Sequence, residues 1–481
     1  MSVNALHRPF WNFPLTRWLF RARRAQIEGP GDRSPPGATG VAVPGFGDRQ
    51  FRPLSSLRSE KLSSYTLDQR PDSAASSPNL GRPTVATPLR DGEDKLARLR
   101  DVFTPTQPKL FGPLFIGRER YLSRLILAVE EERTHIVLFG ERGRGKTSLA
   151  NAFAHIANEA GYLVVRQSCS ATTTFEELFR SIFGQIPPHL VTPSLRSVAP
   201  TPVDLLPEGS FDASDLIEAL QKITARRAIF VIDEIDRIRS ESVRTAISET
   251  IKELSDARLP VTLLMVGVAE NLDSLLGQHP SIERSIVGLH LLRMKPEEIR
   301  RVLEAGAIAA GLRFDDAVIS AIQSCTRGMP YYAHLLGLFA GVVAMKRTAT
   351  RVEYSDFCTA IDYVLMKQEQ EVGAAYKTAC ASGVENLLIH AALAEPDEHD
   401  CFDAEAVLNA YEKHAGRFAA SSPLEVEKEL DSIAALRPPI LLSYGASPMK
   451  RYGFAQQTMA HYLLLRRIAS GEQIARVGVH A

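Results

Sequence analysis

The sequence predicts an α/β fold: a mostly parallel sheet covered by helices on both faces, then a helical segment, then a small helix–hairpin module. Three observations predict it. Short apolar runs alternate with helical patterns between Asp94 and Leu291, a glycine-rich octet joins the first run to a helix, and the pattern is purely helical from Lys295 to about Met366. The strand candidates are His135–Phe139, Tyr162–Arg166, Ala228–Ile232, Val261–Val266 and Ile286–Leu291. These runs are largely continuous rather than alternating, as strands buried on both faces require. Helices are expected at Lys146–Ala160 and Phe175–Phe183.

At 481 residues the chain has room for two or three domains, and 45% hydrophobic with 23% charged residues is ordinary for a globular protein. A formal net charge of zero excludes a whole-molecule pull toward nucleic acid or acidic membranes and leaves only local patches. The 5 cysteines (Cys169, Cys325, Cys358, Cys380, Cys401) form no C-x-x-C pair, so neither a zinc site nor a disulfide framework is suggested. No apolar run approaches the roughly 20 residues of a membrane span, and no secretory apolar core is present. A cytoplasmic protein is the expectation.

Residues 29–93 are rich in Pro, Gly, Ser and Arg with no sustained period. Such a stretch buries too little surface to offset its ordering entropy and is expected to be a disordered linker. Residues 1–28 ahead of it hold both tryptophans and no acid before Glu28. Leu15, Trp18, Leu19 and Ala22 share one helical face, and Arg17, Arg21 and Arg24 another. A basic amphipathic helix within residues 10–24 suits peripheral contact with an anionic membrane or a partner groove. A transit-type segment and a loose tail are the competing readings. The Pro-rich stretch 186–213 is either a functional loop or a disordered insertion.

Chemistry concentrates in two segments. Gly140-Glu141-Arg142-Gly143-Arg144-Gly145-Lys146-Thr147 matches G-x-x-x-x-G-K-[ST] between a strand and a helix that continues with Ser148. Glycines let the backbone wrap phosphate oxygens, and the N–H groups at the helix start point at them. Lys146 is placed to reach the β- and γ-phosphates of ATP, and the Thr147 hydroxyl to ligate Mg²⁺. The second segment, Ala228-Ile229-Phe230-Val231-Ile232-Asp233-Glu234, is an apolar strand ending in two carboxylates. Asp233 is the candidate for the magnesium shell and Glu234 for the general base, on a strand expected next to the first.

This pairing resembles the Walker A and Walker B motifs of AAA+ ATPases. Further segments resemble the archaeal origin-recognition-type ATPases and their bacterial relatives, which shade into the STAND ATPases. Phe115-Ile116-Gly117-Arg118-Glu119 is similar to the segment beside the adenine, implying nucleotide contact for Gly117 and Arg118. His279–Ser285 resembles the segment with an arginine finger, implying that Arg284 acts on a neighbouring subunit; a surface arginine is the equal alternative. Thr326-Arg327-Gly328-Met329-Pro330-Tyr331 resembles the second-sensor segment of a helical lid, implying that Arg327 and Pro330 face the nucleotide, with a helix-capping arginine as the rival. Where relatives carry a polar first sensor, this chain has Ala269, Glu270 and Asn271, which leaves the hydrolysis rate open. The resemblance implies a P-loop NTPase core over 94–294, a helical lid over 295–370 and a winged-helix domain over 371–481.

In the last segment, helices are expected at Val384–Ala394, Ala404–His414 and Leu424–Leu436, strands at Ile440–Tyr444 and Arg451–Phe454, and a final helix at Gln456–Arg467. The third helix carries Glu425, Glu427, Glu429 and Asp431 against Lys428 and Arg437, which phosphates would repel. A protein partner is therefore preferred over DNA, with Lys450, Arg451, Arg466 and Arg467 left for a nonspecific contact. The reading is an ATP-hydrolysing conformational switch able to self-associate. Its alternatives are a DNA-loading ATPase and a membrane- or partner-scaffolding protein with weak turnover.

Overall fold

The computed structural model describes residues 52–55, 91–105, 117–225, 227–269, 275, 282–415, 422–447 and 449–471. The amphipathic tip, most of the linker, Phe115, Ile116, residues 279–281 and Asn271 lie outside the described residues.

The nucleotide half is a parallel sheet whose strands run β2-β3-β4-β1-β5: β1 (His135–Phe139), β2 (Leu163–Ser168), β3 (Ala228–Asp233), β4 (Val261–Val266) and β5 (Ile286–His290). Every residue of β1 is buried, and β3 is buried up to its final Asp233, so both faces are covered as the apolar runs demand. β4 separates β1 from β3. The acids therefore lie two strands from the glycine loop rather than on the adjacent strand expected, but at the same C-terminal edge. Parallel sheets seat ligands at that edge.

Helix α1 (Asp91–Val102) precedes this half in the chain but packs elsewhere. Its Leu99, with Val102 and Phe103 beyond it, enters the core of the later helices, where Phe103 sits against Gly306 and Gly337. Helix α2 (Glu119–Leu127) runs into a π turn, Ala128–Glu132, and α3 (Lys146–Glu159) follows the glycine loop. Helix α4 (Phe175–Gly184) is started by Thr174 and Glu177, which cap each other's backbone N–H at 3.2 Å. α5 (Ala213–Gln221) and α6 (Glu241–Asp256) complete the layers.

Two stretches hold more order than their composition suggests. The stretch 186–213 is ordered: short 3₁₀ turns each begin at a proline (Pro188, Pro193, Pro202), and Val191, Ala199, Leu206 and Phe211 between and after them are buried. Within the linker, Arg52–Ser55 docks on the nucleotide half. Leu54 is fully buried beside Leu122, Leu125 and Ile156. Glu130 accepts the N–H groups of Leu54 and Ser55, and Arg52 N–H donates to Ala160 O at 3.0 Å. A single apolar anchor with satisfied amides can order a polar segment; composition averaged over 65 residues hides it.

The second half begins with α7 (Pro296–Ala309), β6 (Arg313–Phe314), α8 (Asp316–Thr326), α9 (Pro330–Lys346) and β7 (Arg351–Val352), and continues into α10 (Tyr354–Ala381). α10 is continuous across the expected 370/371 boundary. It then packs on α14 (Gln457–Ala469), the last helix of the C-terminal module. That module consists of α11 (Glu385–Leu393), α12 (Ala404–Ala415), α13 (Pro423–Ala434), the antiparallel pair β8 (Leu441–Tyr444) and β9 (Arg451–Phe454), and α14. One apolar cluster runs from Leu99 to Ile468, so lid and module share a core. The sheet's cluster around Leu138, Phe153 and Ile229 is separate. No helix among the described residues is long and apolar enough to cross a membrane.

Candidate nucleotide site

The glycine loop leaves β1 at Gly140 and enters α3 at Lys146. Gly143 (φ +83°) and Gly145 (φ +90°) take left-handed conformations that L side chains resist. A Cβ on Gly140 would lie 2.9 Å from Leu291 O, so the loop also needs glycine for close approach. The Lys146 ammonium donates to Gly140 O at 2.8 Å and Glu141 O at 2.9 Å. It is thus turned into the loop, between its carbonyls.

Burial pulls the Lys146 ammonium down to about 8, against the opposing pull of Glu141 and of Asp236 and Asp233. Phosphate is bound by the protonated form, so binding raises this group's pKa. ATP affinity is expected to hold below pH 8 and to fall by about tenfold per unit as pH rises above it. Calorimetry at pH 7, 8 and 9, in buffers of different ionisation enthalpy, reads both the affinity and the accompanying proton uptake. A flat profile to pH 9 would contradict this.

The acids meet the loop electrostatically. Asp233 closes β3 half-buried, and its Oδ1 accepts the Glu234 N–H at 2.9 Å. Glu234 has φ +56° and pairs with Arg237 at 3.2 Å. Its carboxylate is therefore held by a neighbouring arginine. Asp236, which sequence reasoning missed, accepts the Val268 N–H at 2.8 Å and ties the exits of β3 and β4 together. Burial, reinforced by these acids, pushes the nearby Cys169 thiol up to about 12, so it stays protonated.

Other expected residues are placed as follows. Thr147 and Ser148 are half-buried in the first turn of α3, and Arg142 is exposed at the loop tip. Gly117 starts a described segment with φ +83°. Arg118 is buried and donates to Arg144 O at 3.1 Å, so it props the loop from its backbone side. Burial lowers its pKa. Met329, Pro330 and Tyr331 of the lid abut the loop: Cβ positions on Gly143 and Gly145 would lie 3.1 Å from Met329 and 3.9 Å from Pro330. Arg284 is exposed in a 3₁₀ turn before β5, at the strand end opposite the loop, and so is placed away from its own chain's phosphate site.

Arg327 sits at the C-cap of α8, as the helix-capping reading has it. It ends α8 with φ +47°, and its guanidinium donates to Ala394 O at 2.9 Å, in the C-terminal module. Burial, with Arg293 nearby, pulls it down to about 9. His461 of α14 approaches Thr326 O at 3.0 Å and stacks on Tyr332 at 3.9 Å. Burial brings its pKa to about 3, keeping it neutral.

Sequence reasoning also missed Asp400 and Arg293. Arg144 is almost completely buried; it pairs with Asp400 at 2.6 Å and donates to Leu291 O at 3.1 Å. Arg293 pairs with the other Asp400 oxygen. Burial alone would raise the Asp400 carboxyl, but Arg293 and Arg144 hold it below the usual carboxylate range. No local pattern marks a carboxylate so far along the chain from the loop it contacts.

The residues present fit a magnesium–nucleotide. The loop offers a glycine-lined cradle and an ammonium held by loop carbonyls, and hard oxygen donors lie at the same sheet edge.

Residues 114–266 match the AAA ATPase domain family. The chain is 24% identical over 193 residues to the replication factor C large subunit of Methanococcus vannielii, covering 40% of this chain and 31% of that protein. It thus spans about a third of that relative's length. Among solved structures, the Orc1 protein of Aeropyrum pernix in complex with DNA matches with a TM-score of 0.40 and 17% identity, over 78% of this chain and 97% of that one. Cdc6p of Pyrobaculum aerophilum matches with a TM-score of 0.41 and 12% identity, over 78% and 99%. RuvB of Thermotoga maritima matches with a TM-score of 0.37 and 19% identity, over 72% and 95%. With both nucleotide motifs inside the matched segment, residues 114–266 are a domain of the AAA ATPase family.

Proposed function

We propose that the chain binds Mg-ATP, hydrolyses it and uses the cycle as a conformational switch toward a protein partner. The observation that carries this reading is Lys146 turned into a glycine-lined loop, with Asp233 at the same edge of the sheet. Backbone N–H groups from Gly143 to Ser148 and the Lys146 ammonium would hold the phosphates. Thr147 and Asp233 would hold Mg²⁺, which supplies charge neutralisation at the phosphates. Glu234, once away from Arg237, would accept the proton of the attacking water. Arg284 would act on a neighbouring copy, given its place at the far end of β5.

The C-terminal module fits the winged-helix expectation in element order, and its charges favour protein over DNA. Val426, Leu430 and Ile433 face the core from α13, leaving Glu425 and Glu429 exposed. The cations left for a phosphate backbone are engaged: Lys450 with Asp431 at 2.5 Å, Arg451 with Asp397, and Arg466 over the Tyr376 ring; Arg467 is buried. The replication names among the relatives keep DNA as the alternative.

Calorimetric titration of ATP with and without Mg²⁺ tests the site. Mg²⁺ is expected to tighten ATP binding in the parent, and Asp233→Asn to lose at least about tenfold of that gain. An undiminished Mg²⁺ effect in Asp233→Asn would remove Asp233 from the site.

A further inference from the structure

Two apolar clusters among the described residues, one around Leu138 and one running from Leu99 to Ile468, meet beside the phosphate loop at charged groups. On the sheet side stands Arg144, inside the loop; Arg293 lies in the segment leading from β5 to the lid, against Gly328. On the other side stands Asp400, in the loop after α11. That loop is preorganised: Asp397 accepts the His399 and Cys401 N–H groups at 2.8 and 2.9 Å, and Asp400 itself has φ +62°. His399 stacks on His290 of β5 at 5.9 Å, and Arg327 and Arg293 reach Ala394 O and Arg327 O at 2.9 and 3.3 Å. A cleft lined by Glu141, Arg293, Arg327, His399 and Asp400 opens at this junction.

We infer that Asp400 latches the lid and C-terminal module onto the phosphate loop, and that nucleotide phosphates release the latch by competing for Arg144. This deepens the proposed function and rests on its nucleotide site. A guanidinium presents one planar edge that suits carboxylate and phosphate alike. Phosphates in the loop therefore oppose Asp400 twice, as rivals for the cation and as like charges beside it. The two bodies have separate apolar cores and are joined here by these ion pairs together with the contacts of Met329, Pro330 and Tyr331 on the loop. Coupling is reciprocal: if the nucleotide weakens the latch, the latch must weaken nucleotide binding by the same factor.

The test uses the full chain, with ATP affinity read by calorimetry and hydrogen exchange followed in peptides around 140–146 and 395–402. Asp400→Asn is expected to tighten ATP about fivefold or more. It should also raise exchange at 395–402 to the level that ATP induces in the parent. Asp400→Glu, which keeps the charge, should keep part of the ATP-dependent exchange change. Unchanged or weaker ATP affinity in Asp400→Asn overturns the latch. Should that variant melt, Arg293→Gln carries the test with the opposite sign: it leaves Asp400 wholly to Arg144, so ATP should bind more weakly, and tighter binding would overturn the latch. Lys146→Ala separates the two failures. If it still binds ATP, the nucleotide reading itself fails; if it does not, and Asp400→Asn has no effect, only the latch is lost.

Discussion

Replacement of Lys146 by alanine is expected to abolish measurable ATP binding, weakening it by about a hundredfold or more. Charge-assisted hydrogen bonds are worth about 1.5–3 kcal/mol each, and every 1.4 kcal/mol is about tenfold in affinity. One ammonium serving two phosphates therefore removes most of a micromolar interaction. The variant also strips Gly140 O and Glu141 O of their donor. The loop loses local order at a cost of about 1–3 kcal/mol, while the sheet, with β1 fully buried, should keep its melting transition. Calorimetry beside a thermal melt distinguishes the outcomes. Parent-like affinity in a folded Lys146→Ala variant would end the assignment of residues 140–147 as a phosphate cradle.

Glu234→Gln should keep ATP binding and lose about two to four orders of magnitude in turnover. Glutamine has the same shape and can still pair by hydrogen bond, so KM should move little. It cannot take a proton, so kcat should collapse. The left-handed backbone at 234 and the contact with Arg237 make the starting position specific. Leaving its 3.2 Å ion pair with Arg237, exposed on both sides, costs at most about 1 kcal/mol, so basal turnover in the parent should be lowered by no more than about fivefold. Steady-state phosphate release compared with nucleotide binding checks both statements. Equal kcat in parent and variant would assign the proton to another group.

Much of the nucleotide half was legible because local rules settle it. The run His135–Phe139 is apolar from Ile136 on and becomes a fully buried strand with those bounds. The octet 140–147 announces its loop through glycines that must adopt positive φ or tolerate close contact. Asp233 and Glu234 announce themselves by ending an apolar strand. The hairpin is similar: β9 falls at Arg451–Phe454, with Gly445 at φ +73° in the turn before it. In each case the signal lies within about ten residues of the position it determines.

Tertiary structure alone decided what depends on residues far apart in the chain. Leu54 reads as one apolar residue in a polar linker until α2 and α3 provide its pocket. Phe103 precedes the sheet in sequence but belongs to the lid. The lid boundary expected at 370 dissolves because α10 and α14 share a core. Arg144, read from sequence as a loop position facing phosphate, carries an ion pair to Asp400, 256 positions away by number (400 − 144). Strand runs and glycine turns are dictated by backbone conformation and local burial, which a sequence states directly. Which body an isolated apolar side chain joins, and which carboxylate neutralises a buried arginine, depends on desolvation by distant neighbours, and only the folded chain fixes those neighbours.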